Sequence, residues 1–264
     1  MKLSLLSGVL LLVSALAPRQ GNSEPIASDS FDYPEGPIYR SYGGKGFASS
    51  YGGNGQVKEG SLSYSDARGK ILESTGNHVT TSPNVNGMLR VFSVKDRPAG
   101  MLDPQDKLCA DGTRVYLAFL VRLDSGTVDN FGDYGGVSLF EDGTEQLFIG
   151  DPGFDGSKIF WAVDPQEGAE GVQSSKVRVD STVRLLVTRI DFAFTGATVR
   201  FYVDPPLDAE PADPAVKPFT MPDFRFDRIR IQSGGHGIYS FDELSIGTTY
   251  SDVVKALAAV PSKG

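Results

Sequence analysis

Cysteine occurs once in this chain, at Cys109, so no intrachain disulfide can staple it. Histidine is nearly as scarce, with only His78 and His236, and tryptophan is limited to Trp161. A catalytic thiol needs a base beside it, so a lone cysteine among two histidines reads as a buried, inert residue. No H-E-x-x-H and no Cys/His cluster is present, which argues against zinc. Ser-His-Asp hydrolysis has neither a G-x-S-x-G elbow nor a helix to follow it. The glycine-rich stretch around Gly43 to Gly46 lacks the spacing and the Lys-Ser/Thr end of a phosphate loop. Cationic excess is missing too. The net charge of −8 disfavours nucleic acid, whose phosphates demand a basic face, and adhesion to anionic lipid.

Long apolar runs are also absent. The run from Leu3 to Leu16 covers about 14 residues, against the roughly 20 that span a bilayer. It follows a basic Met1-Lys2 start and ends in the small-x-small pattern Ala15-Leu16-Ala17, so residues 1–17 are expected to be a signal peptide. Pro18 disfavours that cut, so the cleavage point extends up to about residue 27. No cysteine follows the run, which excludes a lipid anchor, and no transmembrane anchor is expected. The product is then secreted, periplasmic or extracellular.

What the chain does contain is strand and turn. An apolar, almost unbroken TRVYLAFLVRL from Thr113 to Leu123 reads as a strand covered on both faces. Short strands are expected around 136–140, 146–150 and 158–163, parted by Gly/Asp/Pro turns. A hairpin is expected from 182–194 and 197–204, then a Pro-rich extended link. FDRIRIQ, Phe226 to Gln232, alternates again, and Tyr239 to Ile246 is the last strand. A first strand over 28–33 would place Phe31 and Tyr33 on one face and Asp32 on the other. These elements specify an all-β domain over residues 28–250, a jelly-roll β-sandwich of two antiparallel sheets whose first and last strands lie together. Residues 251–264 form a C-terminal tail, with a short helix expected over 250–260.

Several motifs strengthen that expectation. Phe31-Asp32-Tyr33-Pro34, Gly36-Pro37, Gly43-Gly44-Lys45-Gly46-Phe47, Gly60-Ser61-Leu62-Ser63-Tyr64 and Phe241-Asp242-Glu243-Leu244-Ser245-Ile246-Gly247 run from one end of the domain to the other. Together they resemble secreted bacterial LamG-like domains of the concanavalin A-like lectin/glucanase superfamily. The resemblance implies fold more strongly than activity, because the superfamily holds lectins, adhesive modules, glucanases and lyases. It also implies a structural calcium where the first strand meets the last, with Asp242 as ligand and Asp32 as a second contact by proximity. The alternative for Asp242 is a cap on a neighbouring backbone N–H.

Glucanases of this superfamily draw their two carboxylates from one E-x-D-x-E or E-x-D-x-x-E strand, and none is present here. The tempting pair Glu141 and Glu145 flanks Asp142-Gly143, a hairpin turn signal, and is expected to be solvated. Sugar binding calls for an exposed aromatic platform. Trp161 stands beside Phe160, and one of the two must face outward, so Trp161 is either a platform or core. Tyr42, Tyr51 and Tyr134 lie in Gly-rich loops and either rim a binding face or pack locally. His236, flanked by glycines, is a turn residue or a ligand contact. The combined expectation is a non-catalytic recognition or matrix module for extracellular polysaccharide or glycan. Two alternatives stand beside it: a polysaccharide lyase or hydrolase with an unrecognised site, and a structural cell-envelope protein that binds a protein partner.

Overall fold

The computed structural model describes residues 24–82, 87–126, 132–153, 160–166 and 171–255. The expected signal peptide and the end of the tail lie outside the described residues. The rest is an antiparallel jelly-roll β-sandwich. Its larger sheet has nine strands, in the order β13 (Phe219–Met221), β12 (Gly196–Val203), β11 (Arg184–Ala193), β6 (Arg114–Ser125), β15 (Ile238–Gly247), β4 (His78–Thr80), β3 (Gln56–Lys58) and β2 (Gly36–Pro37), while β1 (Ala27–Asp29) also pairs with β15. The smaller sheet has six, in the order β10 (Gln173–Arg178), β9 (Phe160–Pro165), β8 (Thr144–Asp151), β7 (Tyr134–Glu141), β14 (Arg228–Gly234) and β5 (Met88–Val91).

The expected meeting of first and last strands is present. Ala27 pairs with Ile246 and Asp29 with Leu244. The first strand is shorter than expected, because Phe31 takes a left-handed φ of 54° that ends the extended run. Phe31 and Tyr33 are still buried and Asp32 exposed. The β11–β12 hairpin forms as expected, with Asp191 opposite Thr198. Strand β10 carries no clear alternation and was not anticipated. The helix α1 covers only Tyr250–Val253.

Strand β6 is buried on both faces, and the register explains why. Val115, Leu117, Phe119 and Val121 enter the main core between the sheets. Tyr116, Ala118 and Leu120 point the other way into a second apolar cluster with Leu185, Val187 and Tyr202. That cluster is capped by Leu62, Tyr64 and Leu72, by Leu207 of the Pro-rich link, and by Tyr250 and Val253 of α1. The centre of the nine-stranded sheet's outer face is therefore covered. Cys109 is fully buried, as its isolation suggested, and burial pushes its thiol pKa well up.

One buried charge pair ties the N-terminal segment to the smaller sheet. Arg90 on β5 faces inward at 1% exposure and pairs with Asp29 at 3.1 Å. Asp29 also accepts from the Phe31 N–H (2.9 Å), the Tyr33 hydroxyl (2.6 Å) and the Tyr51 hydroxyl (3.1 Å). The guanidinium stacks 4.3 Å above Phe47 and 4.6 Å from the centre of the Tyr51 ring, and donates to the Gly43 carbonyl at 3.0 Å. The Gly/Tyr-rich stretch is thus a cage around one arginine. Burial pushes the Asp29 carboxyl pKa upward, and the converging donors and Arg90 oppose that.

Candidate functional site

The outer face of the six-stranded sheet carries polar side chains in place of a roof. On β14, Ile229 and Ile231 are buried in the main core, so Arg228, Arg230 and Gln232 face outward. Arg230 stands opposite Ser138, and Gln232 opposite Gly136, on β7. Ser138 stands opposite Phe148 on β8, and Phe148 opposite Asp164 on β9. The same alternation across four strands brings these side chains onto one surface.

They line a groove of about 260 Å3, formed by Tyr134, Glu145, Phe148, Asp164, Arg230 and Gln232, with Pro152 and Gln166 at its margin. Phe148, Asp164 and Gln232 are buried, while Tyr134, Glu145 and Arg230 are half-buried. Gln232 donates its amide N–H to the Ser138 hydroxyl at 2.8 Å and to the Glu145 carboxylate at 3.0 Å. Ser138 donates to the same carboxylate. The Arg230 guanidinium stands 4.3 Å from the centre of the Phe140 ring, and the nearest carboxylate oxygen among the described residues, on Glu145, is 3.9 Å away. Tyr134 meets Phe148 edge to face at 6.2 Å. A Cβ at Gly234 would come within 2.0 Å of the Tyr134 ring, so glycine there is what seats the tyrosine.

Behind this groove the sheet end is braced by buried acid groups. Tyr239 donates to Asp151 at 2.7 Å, and Asp133 accepts the His236 backbone N–H at 2.7 Å. Asp151 is fully buried, which raises its carboxyl pKa to about 7; the Asp133 charge adds to the rise, and the Tyr239 bond opposes it.

The sequence-derived candidates are only partly brought together. Tyr134 lines the groove. Trp161 does not: it is fully buried in the main core, while Ala162 and Asp164 take the opposite face of β9, so it offers no face to a ligand. Tyr51 is also buried, in the cage around Arg90. Tyr42 is 69% exposed, near that cage, and His236 is exposed in the turn before β15. Glu141 and Glu145 are separated: Glu141 pairs with Lys107 at 2.8 Å, whereas Glu145 turns into the groove. The expected Asp142-Gly143 hairpin is present, with Asp142 at φ 53°, and Glu145 is half-buried on the sheet face beside it.

Asp242 is fully buried, and its two carboxylate oxygens accept the Leu62 and Glu243 N–H groups, each at 2.8 Å. Two N–H dipoles aimed at the carboxylate are the contacts of the capping alternative. Asp32 is exposed. Among the described residues no group of three or more His, Cys, Asp or Glu converges as a metal site.

Three hollows are larger: two, of about 400 and 430 Å3, flank the N-terminal segment, and a third, of about 310 Å3, lies among Ser63, Tyr64, Thr182, Arg184 and Asp204. In the first, no aromatic side chain lines the wall, and Glu243 is capped by the Thr75 N–H at 2.8 Å. In the second, Arg97 donates to the carbonyls of Ile26, Ser93 and Gly46. In the third, Arg184 pairs with Asp204 at 2.7 Å. The smaller groove sets a tyrosine, an arginine, a carboxylate and an amide on one strip of sheet and is the candidate ligand site.

No protein-family profile and no curated protein matches the chain. Among solved structures it is similar to one of botulinum neurotoxin type C, whose cell entry depends on interaction with two ganglioside molecules. The TM-score is 0.47 at 9% identity, covering 88% of this chain and 49% of that one. It is similar to an alginate lyase solved with an alginate trisaccharide, at TM-score 0.43 and 11% identity, over 84% of this chain and 97% of that one. A bifunctional GH43-CE protein of Bacteroides eggerthii gives 0.38 at 14% identity, over 61% of this chain and only 22% of that one. All three scores lie below 0.5. No helix among the described residues is long and apolar enough to cross a membrane.

Proposed function

We propose that this protein is an exported, non-catalytic glycan-recognition module of LamG-like type, and that the groove on its six-stranded sheet is the binding site. One observation carries the reading: a half-buried tyrosine, an arginine, a carboxylate and an amide converge in one concave strip of sheet surface. Such sites pair a ring face with a few placed hydrogen-bonding groups. Export rests on the signal-like first 17 residues.

The test is affinity electrophoresis against a broad glycan panel, with Tyr134→Ala and Gln166→Ala as groove variants. Retardation by at least one glycan, weakened in both variants, is expected. Binding that is unchanged in both would refute the groove. A second reading, hydrolysis, draws on Glu145 and Asp164 lining the same groove. Reducing-end release that disappears in Glu145→Gln would establish it over the first.

A further inference from the structure

We infer that the groove selects neutral polysaccharide, a chain of uncharged hexose units, over uronate-bearing or sulfated polymers. The inference rests on the groove being the glycan site and adds the chemical class of its ligand.

The argument begins with Arg230. It is the only cation lining the groove among the described residues, and it would be the natural partner of a sugar carboxylate or sulfate. However, its charge is already faced by Glu145, 3.9 Å away. An anionic substituent bound by the guanidinium would sit beside that carboxylate and be repelled by it. The whole chain, at −8, adds a repulsive background.

The hydrogen-bonding inventory points the same way. The Gln232 NH2 is committed to Ser138 and Glu145, which leaves its carbonyl oxygen as the available end. Glu145 has one oxygen engaged by those two donors and its other toward Arg230. The strip therefore offers acceptors from Gln232 and Glu145, with Arg230 and the Tyr134 hydroxyl as donors. Hydroxyl groups both donate and accept and can use all four. Carboxylates and sulfates only accept, and can use the donors but neither acceptor. Arg230 itself packs on Phe140 and makes no hydrogen bond to the described residues; its Nε is buried, so its terminal NH2 groups are the ends available to a sugar hydroxyl. Tyr134 supplies a half-buried ring for the C–H face of a pyranose.

The test is isothermal titration with two matched sets: neutral oligosaccharides from β-glucan, galactan and mannan, and acidic ones from alginate, pectate and sulfated galactan. The variants are Glu145→Gln and Arg230→Met, with circular dichroism to confirm folding. Neutral ligands should bind at least about tenfold tighter than acidic ones, the worth of one hydrogen bond. Glu145→Gln removes the repelling charge while keeping the shape, so it should narrow that ratio by about tenfold. Preference for acidic ligands, lost in Arg230→Met, would overturn this inference and leave the groove reading intact. Binding that ignores both groove variants, or no binding to either set by folded protein, would overturn the groove reading and this inference with it.

Discussion

Removing the Arg90 guanidinium should be among the most damaging single changes available to this fold. Arg90→Met keeps much of the side-chain length and its packing against Phe47 and Tyr51, but leaves Asp29 buried at 3% exposure without its cation. Breaking a buried pair from one side costs about 3–5 kcal/mol, because the remaining charge is uncompensated. For a domain of this size each kcal/mol moves the melting temperature by about 2–4 °C, so the drop should be about 6–20 °C. Asp29→Asn strands the arginine in the same way, though the amide oxygen still accepts one of the Phe31, Tyr33 or Tyr51 donors. The double variant should lose less than the sum of the singles by about 1–3 kcal/mol, since each single already forfeits the shared interaction. Urea unfolding of all four proteins, followed by circular dichroism, measures the cycle. Should Arg90→Met fail to fold, Arg90→Lys keeps the charge without the fork and should fall between it and the parent. A loss under about 1 kcal/mol in Arg90→Met, or strict additivity, would show that the pair is not what anchors the N-terminal segment.

Stability should fall as pH rises from about 4 to about 8. Burial raises the carboxyl pKa of Asp242 to about 8 and of Asp151 to about 7, so the folded chain holds protons that the unfolded chain has released. Asp242→Asn should flatten that profile in urea melts at pH 5 and pH 8, and an unchanged slope would refute the assignment. Chelator should leave the melting temperature of calcium-loaded protein unchanged, because Asp242 is committed to backbone N–H groups; a drop that vanishes in Asp242→Ala would restore calcium at the strand seam. Trp161 is the only tryptophan and is fully buried, so its emission should be blue-shifted and should not respond to glycan, whereas quenching by a bound sugar would contradict its burial. Protein recovered from outside the native cell should begin between about residues 18 and 28, and an intact Met1 there would refute export.

The fold was legible because its signals are local and repetitive. The apolar run of β6 announced a strand buried twice over, and the closing motif around Phe241 to Gly247 announced a terminal strand beside the first. The groove was less visible, for a reason of period. Aromatics were sought as isolated loop residues, but the lining comes from alternate positions on four separate strands. The sequence signal was present in FDRIRIQ, where Arg228, Arg230 and Gln232 share a face opposite Ile229 and Ile231. Alternation alone could not say that this face would meet Ser138, Phe148 and Asp164, because that depends on register. Glu145 was misjudged for a related reason. Glu145 pairs with Phe140 in the register of the Glu141–Thr144 turn, and the shift that follows, between Leu139 and Phe140, lets Glu145 face outward while Leu147 enters the core. The Arg90 cage was illegible in principle, since an arginine in a short strand reads as outward-facing until Asp29 is placed beside it.

The pairing of β1 with β15 also sets how the molecule answers to tension. Ala27 lies against Ile246 and Asp29 against Leu244, so the chain enters and leaves the sandwich at the same end of one antiparallel seam. A load pulling the two ends apart would act as a zipper on that seam and break its hydrogen bonds one at a time, with no row of them sharing the force. Three residues of strand would offer little resistance to peeling. Immediately behind them stands the Asp29–Arg90 clamp, bonded across to the other sheet. In a protein held between a surface and a bound polymer, that clamp would be the catch that decides whether the load stops at a frayed first strand or opens the core.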